Sequence, residues 1–398
     1  MSDSQLLLLQ IFLVFVLPIS GMCYAVLGAL KLPLAERLNM DEAKVGGLIS
    51  AFGLMVGPII FSAGFLTDAF GRQSIIVIGS VVVAIALITL GMTKRYTIAV
   101  VGAGLLAAGW ALIINVANVL MYAAYSNPLV AMNLGDFLFG FGAFVTPMFI
   151  AFVLKKRGLG TLGVILAAGG VFLAIFGLFV KMNPDAGASA AAEVATTFKD
   201  LINDPIMWFC GLSLMFWAPL ESATAAWTTT FVTKLSKEED ERAKRLASWT
   251  LSGFWLGFMG SRLIAAALFH LFHVAEVEAA RVIHIILVCL IIVAMIVLVN
   301  SRSRALTIGA IIAAGLIAGP FFPNLMAVLL SHFSVEVHGR AVGTLFAFAS
   351  AGWTVIPLAV GAVAKKSNIH RGFIVTVVDA AILLAVVIAH FIYASGGS

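Results

Sequence analysis

Residues 64–73 read GFLTDAFGRQ and interrupt a long apolar part of the chain with two glycines and two opposite charges. Gly64 and Gly71 allow a sharp turn and a close approach of neighbouring helices, because glycine has no Cβ atom. Asp68 is placed to pair either with Arg72 or with the end of a neighbouring helix. The stretch therefore predicts a tight loop between two helices, with a carboxylate available for a specific contact.

The sequence on both sides of this loop is too apolar for a soluble protein. Of its 398 residues, 62% are hydrophobic and 11% charged, and the mean hydropathy is +1.10, whereas soluble domains carry about 25% charged residues. Long Val, Ile, Leu and Ala runs favour helices over a β-barrel, whose strands would alternate. A spanning helix needs about 20 apolar residues. We therefore predict an all-α membrane protein of twelve transmembrane helices, near 7–31, 45–67, 74–93, 97–124, 134–154, 160–180, 206–233, 246–271, 281–299, 305–332, 341–364 and 372–394.

An internal repeat divides the chain into two similar halves. GAFVTPMFIAFVLKK, which begins at Gly142, and GWTVIPLAVGAVAKK, which begins at Gly352, share a glycine, a proline five positions later and a Lys-Lys pair. The same offset carries Asp68 onto Glu278. An even number of helices per repeat gives both halves the same orientation. We predict a six-helix bundle over 1–181, a linker over 182–205 and a second six-helix bundle over 206–398, packed around a central cavity.

The loop at 64–73 resembles the loop motif of the major facilitator superfamily: glycine, any residue, leucine, any residue, aspartate, two residues, glycine, arginine. Every one of these positions matches, and the loop lies between segments two and three, as it does in the family. The resemblance implies a transporter that works by alternating access. It also implies a conformational role for Gly64, Asp68, Gly71 and Arg72, with Asp68 and Arg72 as charge-relay partners in a latch between the halves.

Three further stretches resemble the fucose–galactose–glucose:proton symporter branch of that superfamily. They are GPFFPNLMAVLL at 319–330, WAPLESATAAW at 217–227 and MNLGDFLFGFGAF at 132–144, in which Asn133 matches the asparagine of the branch. This resemblance implies transport of a sugar. Proton-coupled members carry acids in segments one and four, where this sequence has Ala29 and Ile114. The usual proton carriers of the branch are therefore missing.

Glu221 is the remaining candidate for proton coupling, because it lies about midway along segment seven. A charged residue at the centre of a spanning helix costs roughly 2.5–3.5 kcal/mol and by default marks a functional site. Helical spacing puts Trp217, Thr224 and Thr228 on the same face as Glu221. We interpret this face as a site for hydrogen bonding of substrate, for proton uptake, or for both. The structural alternative is a neutral Glu221 that bridges two helices.

Amides and aromatic rings elsewhere complete the predicted site. Amide groups supply the paired donors and acceptors that sugar hydroxyls need, although they also join helices to one another in membranes. Tryptophan can stack on a sugar ring, although it more often packs or anchors a helix at the interface. Asp136 is left out of the site because it lies at the start of segment five, where an acid faces the positive end of the helix dipole. Asp379 is left out because segment twelve is usually peripheral in the fold that the resemblance implies. The predicted substrate-binding residues are Asn115, Asn118, Tyr122, Trp217, Glu221, Thr224, Trp227, Asn324 and Trp353.

The distribution of basic residues supports a second hypothesis. If the loop at 64–73 is cytoplasmic, as in the family, 18 of the 24 Lys and Arg residues lie on the other side of the membrane, against the positive-inside rule. Such an excess would concentrate anions at the outer mouth. The alternative function is therefore a carrier of organic anions or an exporter of amphipathic compounds.

The sequence shows no catalytic cluster, zinc spacing, phosphate-binding loop or basic tract for nucleic acid. We expect a protein that is not an enzyme and that has no cofactor, no bound metal and no nucleic-acid partner. The expected partners are a small-molecule substrate, the lipid bilayer and, if Glu221 couples transport, protons. We expect a monomer in the plasma (inner) membrane.

Overall fold

The computed structural model describes residues 2–182, 198–234, 241–367 and 369–396, which fold into helices without any strand. A short helix at 198–203 and a 3-10 turn at Val335–Val337 supplement the main helices. The main helices are α1 (Asp3–Leu38), α2 (Glu42–Phe70), α3 (Arg72–Met92), α4 (Tyr96–Ala123), α5 (Pro128–Phe179), α6 (Pro205–Lys234), α7 (Glu241–Leu271), α8 (Val277–Asn300), α9 (Arg304–Ala318), α10 (Phe321–His332), α11 (His338–Lys366) and α12 (Ile369–Gly396).

Eleven stretches of helix within the described ranges are long and apolar enough to cross a membrane. One of them, α5, has 52 residues and is interrupted at Gly158, whose φ of 74° lies in the region that favours glycine. It therefore contains segments five and six of the sequence, because a single crossing takes about 20 residues. The all-α architecture of twelve transmembrane helices is confirmed.

The tenth span is broken where the sequence places two prolines. The helix α9 ends at Ala318 and α10 begins at Phe321. Pro323 has no N–H group to donate to the carbonyl of Gly319, four residues earlier. The side chain of Arg262, only 6% exposed, donates its Nε–H to that carbonyl oxygen at 3.0 Å. A buried arginine on α7 therefore satisfies the carbonyl group that the proline leaves open.

The chain forms two compact units. The first contains Met1–Ser126, Gly135–Leu201 and Phe333–Ala347, and the second contains Asn127–Leu134, Ile202–His332 and Phe348–Ser398. In the first unit α4 packs against α1, α2 and α3; in the second, α12 packs against α6 and α8. Part of the predicted linker is helical, namely residues 198–203. The ring of Phe198 packs against that of Phe65 on α2, with centroids 4.8 Å apart. The division at 181 and 206 stays a prediction.

The repeated glycines occupy similar positions in the two units. A Cβ atom on Gly142 of α5 would collide with the carbonyl oxygen of Pro18 on α1. A Cβ atom on Gly352 of α11 would collide with the carbonyl oxygen of Met215 on α6. In each unit the repeat glycine thus lets a later helix touch the backbone of the first helix of that half of the sequence.

Candidate functional site

The loop at 64–73 is as short as its glycines predict. Helix α2 ends at Phe70, α3 begins at Arg72, and Gly71 alone connects them. The φ of Gly71 is 82°, a conformation that other L-residues rarely adopt. The predicted tight loop between two helices is therefore confirmed.

Asp68 binds the end of a neighbouring helix, which was one of its two predicted types of partner. Its Oδ1 accepts a hydrogen bond from the N–H of Gly339 at 3.1 Å, and its Oδ2 accepts from the N–H of Arg340 at 3.0 Å. The Nε–H of Arg340 donates to the same Oδ2 at 2.8 Å. Both side chains are buried. Because α11 begins at His338, the carboxylate occupies the positive end of this helix and satisfies backbone N–H groups there.

Arg72 reaches the same segment from the other side of the loop. Its Nη2 donates to the carbonyl oxygen of Val335 at 3.0 Å, just before α11. The backbones of the two helices also meet, since a Cβ atom on Gly64 would lie 2.9 Å from the Cα of Arg340. We call this set of interactions, between residues 60–72 and residues 335–343, the α2–α11 contact. All four predicted motif residues lie in or beside it.

Two predicted substrate-binding residues belong to the surroundings of the α2–α11 contact. The Oδ1 of Asn115 accepts a hydrogen bond from Thr67 at 3.1 Å, and its Nδ2 donates to the carbonyl oxygen of Gly339 at 3.0 Å. The ring of Tyr122 lies edge-on to His338, with centroids 5.4 Å apart. Asn115 therefore joins α4 to both sides of the contact. Its role in substrate binding stays a prediction.

An asparagine pair lies in the second unit. The Nδ2 of Asn133, from the first turns of α5, donates to Oδ1 of Asn324 on α10 at 2.7 Å. It also donates to the carbonyl oxygen of Leu129 at 2.9 Å. Both asparagines are fully buried. Among the described residues, the Oδ1 of Asn133 and the Nδ2 of Asn324 have no hydrogen-bond partner. The pair thus contains one unmatched acceptor and one unmatched donor.

The polar face predicted on segment seven is largely packed inside the second unit. Trp217 is 1% exposed and stacks on Phe321 of α10, with centroids 4.2 Å apart and an interplanar angle of 13°. The hydroxyls of Thr224 and Thr228 donate to carbonyl oxygens of their own helix at 2.6 Å. Glu221 is half-buried. Through this stacking, Trp217 of α6 contacts α10, the helix that also carries Asn324.

The other predicted residues lie apart from these contacts. The Nδ2 of Asn118 donates to the carbonyl oxygen of Ile114 in its own helix at 2.8 Å. The ring of Trp227, on α6, packs against α11: a Cβ atom built on Gly361 of α11 would lie 3.1 Å from it. Trp353 is half-buried on α11. Asp379, excluded on sequence grounds, is 2% exposed and its carboxyl has no hydrogen-bond partner among the described residues.

Sequence reasoning missed the partner of Asp68. The signal was present, because Gly339-Arg340 repeats the dipeptide Gly71-Arg72 immediately before a long apolar segment. Like Gly71, Gly339 stands where a helix begins, and a Cβ atom on Gly339 would lie only 2.8 Å from the carbonyl oxygen of Gly64. A second glycine-arginine pair at a helix start thus marked the other half of the α2–α11 contact.

Comparison with known proteins identifies the family. The family model described as Major Facilitator Superfamily matches residues 12–273. The chain belongs to the major facilitator superfamily. Members of this superfamily are transporters, and alternating access is typical of their fold. The protein is therefore an integral, multi-pass membrane protein, as its apolar helices indicate.

Solved structures of this superfamily share the fold over almost the whole chain. FucP, the fucose:proton symporter of E. coli, in the outward conformation has a TM-score of 0.79 at 14% identity, covering 94% of this chain and 97% of its own. The human organic anion transporter MFSD10 has a TM-score of 0.74 at 14% identity, with coverages of 97% and 100%. The proton:xylose symporter XylE has a TM-score of 0.74 at 11% identity, with coverages of 97% and 95%. No curated protein matches the sequence significantly.

Proposed function

We propose that this superfamily member is a secondary active transporter that moves a sugar or a similar small polar solute across the membrane by alternating access. The observation that carries the proposal is the asparagine pair. Buried polar groups without partners cost about 1–3 kcal/mol each, so an unmatched donor beside an unmatched acceptor favours a ligand that supplies both. A hydroxyl group both donates and accepts, which is the chemistry of a sugar.

The similar folds support the same class of solute. FucP and XylE are described as symporters of fucose and xylose with protons. Asn133 and Asn324 also lie in two of the stretches that resemble the sugar-symporter branch, at 132–144 and 319–330. The proposal therefore rests on the chemistry of the pair, and the resemblance of the same two stretches agrees with it.

Replacement of the asparagine pair by leucine tests this role. Removing both partners of a buried hydrogen bond can be nearly neutral for folding, whereas removing one leaves the other unsatisfied. We expect the Asn133→Leu/Asn324→Leu double variant to melt at or above the temperature of either single variant. If the pair binds solute, the double variant should nevertheless lose sugar uptake in proteoliposomes. Uptake at the wild-type rate in a well-folded double variant would contradict the proposed role.

Proton coupling through Glu221 is a further part of the proposal. Glu221 lies in the middle of α6, and the acids that the branch uses elsewhere are replaced by Ala29 and Ile114. We expect Glu221→Gln to abolish uphill uptake driven by an imposed proton gradient while solute exchange continues, because exchange needs no net proton movement. The matched control is Glu278→Gln, which changes an exposed glutamate at the start of α8. Undiminished uphill uptake by Glu221→Gln would exclude this role.

A second candidate function is transport of organic anions or export of amphipathic compounds. The likeness to MFSD10, described as an organic anion transporter, favours it, as does the uneven distribution of Lys and Arg among the loops. A thermal-shift screen of the purified protein separates the two functions, because a ligand at one hundred times its Kd stabilises the folded state by about 2.7 kcal/mol. A stereospecific response to one sugar supports the first proposal. A response to anions alone supports the second.

A further inference from the structure

A cluster of aromatic rings in the first unit is used by none of the contacts described above. It joins four helices through Tyr24 of α1, Phe52 of α2, Trp110 of α4 and Phe139 of α5. The rings of Tyr24 and Trp110 form its centre, with centroids 5.2 Å apart and a tilt of 38°. The rings of Phe52 and Phe139 each contact both of these, at centroid distances between 5.8 and 6.5 Å.

Backbone contact between α1 and α5 holds the cluster together. A Cβ atom on Gly21 would collide with the carbonyl oxygen of Phe139, so only glycine permits this approach of the two helices. Gly21 lies three residues before Tyr24, on the same side of α1. The close approach therefore places the ring of Phe139 beside that of Tyr24.

Tyr24 is the most exposed ring of the cluster. Trp110 is 3% exposed, but Tyr24 is 47% exposed. Gly28 follows Tyr24 by one helical turn on the same face, and a Cβ atom built on it would meet no heavy atom of the described residues within 4 Å. Since side chains in a helix lean towards its N-terminus, any side chain at position 28 would extend over the ring of Tyr24. The missing side chain thus leaves a space beside an exposed aromatic ring.

The polar groups near this space favour a neutral ligand with hydroxyls. The Nε1–H of Trp110 is buried and has no hydrogen-bond partner among the described residues, so it is an available donor. The stretches 17–31, 45–59 and 103–117, which carry Tyr24, Phe52 and Trp110, contain no Asp or Glu, whereas Asp136 lies three residues before Phe139 on α5 and is 7% exposed. Among the stretches that carry the four rings, the counter-charge to a cation would therefore come from one buried carboxylate alone. A sugar ring presents C–H groups to an aromatic face and hydroxyls to a donor.

We propose that the cluster is a stacking subsite for a pyranose ring, with Tyr24 as the platform and Gly28 providing the space. This inference rests on the proposed function, because it names how a solute of that class is recognised. It concerns the first unit alone, and the asparagine pair plays no part in it.

Binding measurements on the whole protein in lipid nanodiscs test the subsite. The probes are D-galactose, D-glucose, D-xylose and L-fucose, together with galactitol and glucitol, which keep the hydroxyls but lack a ring. We expect at least one pyranose to bind the wild type more tightly than the alditols. An aromatic contact of this kind changes affinity by about twofold to tenfold, so Tyr24→Leu should weaken pyranose binding by a factor in that range. Tyr24→Phe, which keeps the ring, should change it by less than about twofold.

The substitution Gly28→Leu fills the space without a predicted clash. It should weaken pyranose binding at least as much as Tyr24→Leu does, whereas its melting temperature without ligand should match that of the wild type. The matched control is Gly309→Leu on α9, a second helical glycine whose built Cβ has no heavy atom of the described residues within 4 Å. This control should bind as the wild type does.

Each other outcome has a defined meaning. If the wild type binds none of these pyranoses, the sugar class of the proposed function fails and the subsite fails with it. If the wild type binds a pyranose but Tyr24→Leu and Gly28→Leu bind it equally well, the subsite is excluded while the proposed function stands. Binding of tetramethylammonium in place of pyranoses would overturn the class of ligand. Misfolding of Gly28→Leu but not of Gly309→Leu would overturn the open space on which the proposal depends.

Discussion

Replacing Asp68 by Asn should open the α2–α11 contact. The carboxylate accepts three hydrogen bonds, one of them from the buried guanidinium of Arg340. An asparagine keeps one acceptor oxygen and puts an NH2 group in place of the other, so Arg340 loses its counter-charge. Removing one partner of a buried ion pair costs about 3–5 kcal/mol. At about 1.4 kcal/mol per factor of ten, the open population should rise by a factor on the order of 10² to 10³.

Spin labels on both sides of the α2–α11 contact measure this change. Phe70 is 65% exposed and Val335 is 49% exposed, so both positions accept a label on a background without Cys23, Cys210 and Cys289. We expect one short distance to dominate in the otherwise wild-type protein. Asp68→Asn should add a population at longer distance.

The control for this prediction uses the position that the repeat aligns with Asp68. Glu278 pairs with Arg281 at 3.5 Å, but its carboxylate is 73% exposed, and exposed pairs contribute about 0–1 kcal/mol. Glu278→Gln should therefore leave the distances unchanged. An Asp68→Asn protein with the wild-type distances would refute the reasoning, because it would show that the buried pair does not hold the contact.

Two further predictions concern residues that position the helices. Gly64→Ala should loosen the α2–α11 contact as Asp68→Asn does, because its methyl group has no room against Arg340. The control is Gly53→Ala on the same helix, where a built Cβ meets no heavy atom of the described residues within 4 Å; it should keep the wild-type distances. Arg262→Met should destabilise the protein by about 1–3 kcal/mol, seen as a lower melting temperature. Adding Pro323→Ala should recover part of this loss, because alanine supplies the N–H group that the open carbonyl needs.

The fold could be predicted from the sequence because the apolar length of a segment and the backbone freedom of glycine are properties of neighbouring residues. Twelve apolar segments of sufficient length predicted the spans. The loop at 64–73 also contained its own conformational information, since Gly71 has the positive φ that only glycine adopts readily. What the sequence left open was the partner of Asp68, because spacing within a helix does not determine which distant helix end meets it.

The candidate site was harder to predict for the same reason. Helical periodicity placed Trp217 and Thr224 on one face, but whether that face meets a cavity or another helix depends on tertiary packing. The hydroxyl of Thr224 donates to its own helix, and Trp217 is covered by Phe321. Periodicity therefore identified which side chains share a face, and only the structure identified their neighbours.

The position of Asn115 links the two parts of the proposed mechanism. Its amide donates to Gly339 and accepts from Thr67, so it contributes two hydrogen bonds beside the α2–α11 contact. Asn115 is fully buried in these surroundings, so a sugar hydroxyl could reach its amide only if the helices around it moved apart. Solute binding at Asn115 and closure of the contact would then oppose each other. A ligand changes a conformational equilibrium only through such a difference in interaction between two states, and we propose that Asn115 is where this chain would provide one.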